Sequence, residues 1–342
     1  MRKKVTLREI AQAAGVSIPT VSRVLNESAR VHPDIVKRVR SAAANLGVPS
    51  QAPGRRRAIA FLLGNRPITH PFHSHVMLGA EAYCTEHDYN VVFLALHYPL
   101  HGRIHQLPTP RLLEKRGAVD GFMLAGVNST SLVELVVNTN LPCSVYATTL
   151  IDDDNPDGCG KVWTDDAAGA SEITRYLLAL GHERIGWVGN CRYPWFRRRS
   201  EGYRIAMEKS GNEPHVLSME SDEEHQVGYV ATKTILDSPR QSGLTAIVAG
   251  NDRVAHGVYE ALRDLNLAIG GDVSVAGFND TLEAVILHPA LTTMRVFAEQ
   301  VGRRLAEQVI ARIEGNASVS QAISVPTQLI RRDSCLRLRG VA

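Results

Sequence analysis

The chain has no run of 18 apolar residues, no CxxC pair and none of the glycine signatures that open nucleotide or nucleophile sites, and each absence removes a class of function. Without a long apolar run there is no candidate membrane span. The N-terminal MRKKVTLREIAQAAG turns amphipathic without the apolar core of a secretion signal, so a cytoplasmic location is expected. The five cysteines, Cys84, Cys143, Cys159, Cys191 and Cys335, lack metal or redox spacing and read as reduced, packed thiols. No G-x-G-x-x-G opens a helix, and G-x-x-x-x-G-K-[ST] and G-x-S-x-G are missing. Dinucleotide, phosphate-loop and hydrolase readings therefore lack their minimum machinery, and neither catalysis nor a cofactor is expected.

What is present is ordinary globular usage with an uneven charge. The 342 residues are 44% hydrophobic and 21% charged, enough for two or three compact units. Residues 1–57 hold twelve Lys or Arg against three Asp or Glu, a net of +9, so the remaining 285 carry −6 of the total +3. A small basic head on an acidic body points to a polyanionic partner for the head alone. That head has helical periodicity, which a solubilising tail would lack. Thr6 can cap a helix whose apolar face is Leu7, Ile10, Ala11 and Ala14, and Gly15 supplies the backbone that stops it. Ser17 starts a second helix, with Pro19 in its first turn and Val21, Val24 and Leu25 buried. A third, from about Pro33, buries Ile35, Val36, Val39, Ala43 and Leu46. Two short helices across a glycine-containing turn, braced by a third, make a helix-turn-helix over 1–47 whose second helix is expected to enter the major groove.

The run TLREIAQAAGVSIPTVSRVLN resembles the DNA-binding head of the LacI/GalR family of bacterial transcription regulators, meeting nearly every fixed position of that pattern. The resemblance implies that Ile18, Pro19 and Arg23 face base edges, and that Ser17, Thr20, Ser22 and Asn26 face phosphates, with Thr6 at the start of the first helix also counted among the DNA-binding residues. The chemistry suits those roles. An arginine fork donates two hydrogen bonds to guanine O6 and N7, and Ile18 can touch a thymine methyl. Short hydroxyls at a helix start suit phosphates, although local capping is an equally good use of Ser17, Thr20 and Ser22. One strong reader per head is thin, so a homodimer on a palindromic operator is expected. No C-terminal leucine heptads argue for a tetramer.

The linker VPSQAPGRRR, residues 48–57, departs from the family. Its usual hinge helix carries a leucine that wedges into the minor groove, but here Pro53, Gly54 and Arg56 fall in that stretch, and proline and glycine disfavour a helix there. Arg55, Arg56 and Arg57 read either as a basic arm along a narrow minor groove or as a solvated spacer.

From Ala58 on, short apolar runs alternate with amphipathic segments. AIAFLLG, NVVFLAL, DGFMLAG, CSVYAT, RIGWVG, TAIVAG and VSVAGF read as buried strands. Helices are expected near 73–87, 110–116, 129–138, 166–180, 198–210, 224–237 and 252–265. This alternation predicts an α/β body over 58–342 with two parallel-sheet lobes and a cleft between them. LLALGHERIGWVG, TAIVAGND, DVSVAGFND and HPALTTMRV are similar to family blocks in the same order, which implies a fold like that of periplasmic sugar-binding proteins. Three crossings are placed near 163, 292 and 322, giving an N-lobe of 58–162 and 294–321 and a C-lobe of 164–291 and 323–335.

The resemblance also implies effector contacts: Phe72 and His73 on the N-lobe, Arg199 and Asn279 on the C-lobe, and, more weakly, Trp163, Asp165, Trp195 and Asn251. Aromatic faces beside planar polar groups suit a sugar ring, though core packing explains Phe72 and Trp163 as well. HPFHSHV offers imidazoles, but no paired cysteine or carboxylate set completes a metal site nearby, and none is expected. The expected function is an effector-controlled transcription regulator. A solute-binding protein or a sugar-modifying enzyme is the alternative, disfavoured by the basic head and the missing motifs.

Overall fold

The computed structural model describes residues 5–26, 31–46, 57–107, 110, 113, 117–151, 156–236, 243–316 and 322–338. The chain divides into two compact units, 1–57 and 58–342. In the first, α1 (Leu7–Ala14), α2 (Ile18–Asn26) and α3 (Pro33–Asn45) enclose Ile10, Ala11, Ala14, Val21, Val24, Val39, Ala42 and Ala43. Leu7 and Leu46, expected inside, are 42% and 38% exposed. Both lie at helix ends, beyond the reach of the three-helix core.

The second unit repeats one pattern twice. Its first sheet holds β1 (Ala58–Gly64), β2 (Asn90–Leu96), β3 (Gly121–Gly126), β4 (Cys143–Tyr146), β5 (Cys159–Thr164) and β11 (Ala322–Val325), in the order β11-β5-β4-β3-β1-β2, all parallel. Its second sheet holds β6 (Ile185–Gly189), β7 (His215–Ser218), β8 (Ala246–Ala249), β9 (Ser274–Asn279), β10 (Thr292–Val296) and β12 (Thr327–Ile330). The order is β12-β10-β9-β8-β6-β7, parallel except for the β10–β12 pair. Central strands such as Ala58–Gly64 and Gly121–Gly126 are buried along nearly their whole length because helices cover both faces of a parallel sheet. The helices are α4 (Pro71–Glu86), α5 (Thr130–Val137), α6 (Asp166–Ala179), α7 (Pro194–Lys209), α8 (Glu224–Leu236), α9 (Asp252–Asp264), α10 (Leu282–Ile286) and α11 (Ala298–Ile313). None is long and apolar enough, among the described residues, to cross a membrane.

Strand pairing corrects the three crossings. Trp163 lies inside β5, so the first crossing falls between Thr164 and Asp166. Residues 292–296 pair with β9 and therefore belong wholly to the C-lobe, moving the second crossing past Val296. Residues 322–325 pair with β5 in the N-lobe sheet, and the third crossing follows Val325. These boundaries depend on which distant segment each strand meets. α11, absent from the sequence expectations, buries Val301, Leu305, Ala306, Val309 and Ile310 at helical spacing. Most of the helix expected at 110–116 lies outside the described residues.

Candidate functional site

In the head, the turn between α1 and α2 is built from both sides. Thr6 accepts a hydrogen bond from the Glu9 N–H at 3.4 Å while the Thr6 N–H donates to Glu9 Oε2 at 2.7 Å, a reciprocal cap that starts α1. Gly15 ends it at φ 62°, a left-handed conformation that other residues adopt at a cost. Arg38 of α3 then donates to the carbonyls of Ala14 at 2.8 Å and Gly15 at 3.1 Å, pinning that turn. On α2, Ile18, Pro19 and Arg23 are exposed while Val21 and Val24 are buried, so the outward face carries the arginine fork. The Ser17 hydroxyl accepts from the Thr20 N–H at 3.3 Å and lies 2.8 Å from the Thr20 hydroxyl, so in this structure both engage each other as a cap. Ser22 is half-buried. The Asn26 side chain, Arg55 and Arg56 lie outside the described residues, and Arg57 is exposed.

Each lobe of the body has the strand order 2-1-3-4-5, so ligands are expected outside the carboxyl ends of the strands where the order reverses. The cleft forms there. From the N-lobe, Arg66, His70, Phe72 and His73 follow β1, and Tyr146, Thr148 and Thr149 end or follow β4; from the C-lobe, Trp195 and Arg199 lie on α7, Glu224 begins α8, Asn251 caps α9 and Asn279 ends β9. The enclosed space is about 30 Å³, roughly one water's share of liquid volume. Cavities of about 370 Å³ and 290 Å³ flank it, the first sharing Arg66, His70 and Glu224, the second Phe72 and Asn279.

Two polar clusters hold the walls. Arg199, 4% exposed, donates from Nε to Asp166 Oδ2 at 3.2 Å, from Nη1 to the Gly250 carbonyl at 2.8 Å and from Nη2 to Asn279 Oδ1 at 3.1 Å, and its guanidinium lies 3.8 Å from the Phe278 ring centre. Asp166 in turn accepts from Thr164 Oγ1 at 3.0 Å, and that hydroxyl accepts from Tyr146 at 2.8 Å. A hydrogen-bonded chain therefore runs from the N-lobe wall through the first crossing to the C-lobe arginine. Second, Glu224 accepts from Asn251 Nδ2 at 2.8 Å and faces Arg66 Nη2 and His70 Nε2 across the cleft, each at 3.7 Å. Burial pushes the Glu224 carboxyl up, but His70, Arg66 and Asn251 outweigh it and bring the pKa to about 2. Arg66 also lies over Tyr193 and Trp195, 5.0 Å and 5.3 Å from the ring centres.

The histidines are the open positions. His73 is 5% exposed, and burial, then His70 and Arg66, hold its pKa well below the usual imidazole value, so it is neutral at pH 7. The Nδ1 atoms of His70 and His73 are both buried without a hydrogen-bond partner, their rings 5.1 Å apart, with Phe72 against His73 and Tyr146. A neutral imidazole offers either a donor or an acceptor at such a position.

Of the expected effector residues, the structure brings Phe72, His73, Trp195, Arg199, Asn251 and Asn279 to this cleft. Trp163 is instead 37% exposed, because alternation along β5 turns Val162 and Thr164 inward. Asp165 is exposed and caps α6 by accepting from the Ala168 N–H at 2.9 Å. Neither lines the cavity. Arg66, His70, Tyr146, Thr148, Thr149 and Glu224 went unread; proximity to a strand's carboxyl end or a helix start was the signal that could have found them.

The comparisons with known proteins agree with this architecture. Residues 6–48 match the family model described as bacterial regulatory proteins, lacI family, and residues 174–335 match that of a periplasmic binding protein-like domain. The ribose operon repressor of Escherichia coli K12 is 30% identical over 338 residues, covering 96% of this chain and 99% of the repressor. The chain belongs to the LacI family. A LacI-family regulator from Enterococcus faecium, solved with bound ribose, is 26% identical with a TM-score of 0.68, covering 82% of this chain and 100% of that one. The lac repressor dimer bound to operator and an anti-inducer has a TM-score of 0.70 at 23% identity, covering 98% and 100%, and shares the fold. As a LacI-family chain, this protein is a transcriptional regulator with a helix-turn-helix head and a periplasmic-binding-protein-like body, and the relatives named here are regulators rather than enzymes.

Proposed function

We propose that this regulator is a cytoplasmic, non-catalytic homodimer that reads a palindromic operator and changes its DNA affinity when a sugar or sugar derivative occupies the inter-lobe cleft. The observation that carries the effector reading is the pair of buried, unpartnered imidazole nitrogens on His70 and His73 beside the Phe72 and Tyr146 rings. Fixed polar atoms beside aromatic faces match a ring with hydroxyls on its rim and C–H groups on its faces. The ribose of the Enterococcus faecium structure and the ribose operon repressor's name support the same class. With only about 30 Å³ enclosed, a monosaccharide enters by parting the lobes, so binding and lobe orientation are coupled. The test is a thermal-shift screen of sugars and sugar acids, followed by operator gel shifts with each hit. Hits that leave operator binding unchanged would refute effector control.

The Glu224 contacts with Arg66 and His70 span the lobes and hold them closed. A sugar that parts the lobes must break these contacts, so Glu224→Gln, which removes the anion, strengthens sugar binding by about tenfold, equivalent to about 1.4 kcal/mol. Calorimetry on the full chain checks this, and unchanged affinity would exclude the latch.

For the head, Arg23→Ala should cost roughly 1 to 3 kcal/mol at one guanine per half-site and nothing on DNA lacking it. Gel shifts on matched and scrambled duplexes decide it: equal losses on both make Arg23 a phosphate contact. We propose further that Arg55, Arg56 and Arg57 follow a narrow A·T-rich minor groove at the operator centre in place of a leucine wedge.

A further inference from the structure

We infer that the C-lobe carries a divalent transition-metal site formed by His225, His256 and Glu260 on α8 and α9, separate from the residues that line the sugar cleft. His225 sits in the first turn of α8, and His256 and Glu260 lie one turn apart on α9, so both project from one face. Their ligand atoms all fall within 4.8 Å of one another. His225 Nε2 is 3.1 Å from Glu260 Oε2, His256 Nε2 is 3.9 Å from Glu260 Oε1, and the imidazole centres are 4.9 Å apart. Metal bonds of about 2.0–2.2 Å at tetrahedral angles place neighbouring ligand atoms roughly 3.3–3.5 Å apart, so small side-chain rotations close the set.

The backbone builds this cluster. A Cβ at Gly257 would come within 1.9 Å of the His225 carbonyl oxygen, and one at Gly228 within 2.0 Å of the Val254 carbonyl oxygen. Only glycine lets the two helices touch there, and that contact sets the 225 and 256 side chains side by side. The side chains of His225, His256 and Glu260 are 32%, 36% and 46% exposed, open enough for an ion to enter and for water to complete its coordination. Two imidazoles and one carboxylate form a donor set for Zn²⁺, Co²⁺, Ni²⁺ or Cu²⁺ rather than for Mg²⁺ or Ca²⁺. An ion here ties the first turn of α8 to α9, and α8 begins with the cleft residue Glu224 while the cleft residue Asn251 caps α9. His225 and His256 are far apart in sequence, so no spacing motif announces the site.

Zn²⁺ titrated calorimetrically into chelator-stripped full-length protein should bind at one site per chain, and Co²⁺ should give a visible absorption band of low-coordinate geometry. His225→Gln, His256→Gln and Glu260→Gln, each keeping the parent's metal-free circular dichroism spectrum, should each weaken Zn²⁺ by at least about tenfold and abolish the Co²⁺ band. Should one variant lose its fold, the other two carry the test. Absence of Zn²⁺ binding, or binding with the same affinity and stoichiometry in the folded variants, overturns the assignment and places any bound ion on other histidines.

Discussion

Arg199→Ala lowers the melting temperature of the ligand-free protein by roughly 6–20 °C. The magnitude follows from what the arginine leaves behind. Asp166 is 1% exposed, and its Oδ2 faces the Arg199 Nε; truncation strands a buried carboxylate, which costs about 3–5 kcal/mol. In a body of this size each kcal/mol moves the midpoint by about 2–4 °C. The Gly250 carbonyl and Asn279 Oδ1 lose donors as well. Family position alone would make Arg199 an effector contact whose loss is felt only when ligand is present. Here Nε, Nη1 and Nη2 each already serve a protein acceptor, leaving two of the five guanidinium N–H groups for a ligand. Differential scanning calorimetry without effector separates the two roles. A variant that melts with the parent but no longer binds sugar would make Arg199 purely a ligand contact, whereas loss of both is expected. Arg199→Lys should recover only part of the stability, since one ammonium cannot span three acceptors fixed to a planar fork.

The head was legible in the sequence because its determinants are local. Thr6, Glu9 and Gly15 act within a few positions of each other, and the apolar spacing of Ile10, Ala11 and Ala14 needs no knowledge of the rest of the chain. The central strands were legible for the related reason that burial on both faces leaves a continuous apolar run. The crossings were not, because they depend on β11 finding β5 across more than 150 residues and on β10 meeting β9. The candidate cleft divides along the same line. Phe72, His73 and Arg199 stand in recognisable family blocks, whereas Glu224 and Arg66 look like surface charges until the fold buries one and sets the other opposite it. Trp163 shows the converse error: a large aromatic beside a crossing invites a ligand role, but the two-residue period of β5 gives the inward position to Thr164, and with it the hydrogen bonds to Tyr146 and Asp166.

Asp252 gives the second large effect, and its sign depends on pH. The residue is fully buried at the start of α9. Thr293 Oγ1 donates to Oδ1 at 2.6 Å, and the Thr281 N–H and hydroxyl donate to Oδ2 at 2.7 Å and 3.1 Å. Burial pushes its carboxyl from 3.8 up to about 7; the three hydrogen bonds oppose that shift and the nearby Asp280 adds to it. Below pH 3.8 the carboxyl is protonated in both folded and unfolded chains and imposes no ionisation cost. Between 3.8 and about 7 the unfolded chain releases the proton while the folded chain keeps it, so this group's contribution to stability falls as pH rises, levelling off above 7. At about 1.4 kcal/mol per pH unit, the whole window is worth on the order of 4 kcal/mol. Asp252→Asn removes the ionisation, keeps an acceptor for Thr281 and requires the Thr293 hydroxyl to turn and accept. The variant should therefore melt near or slightly below the parent at pH 4 and well above it at pH 8. Glu224 has the opposite slope, since its lowered pKa contributes stability above about 4.5 that is lost as pH falls through about 2, but it is common to both proteins and cancels in the difference. A difference in melting temperature that stays constant from pH 4 to 8 would mean that the folded protein holds Asp252 ionised throughout, stabilised by the Thr281 and Thr293 donors in spite of its burial.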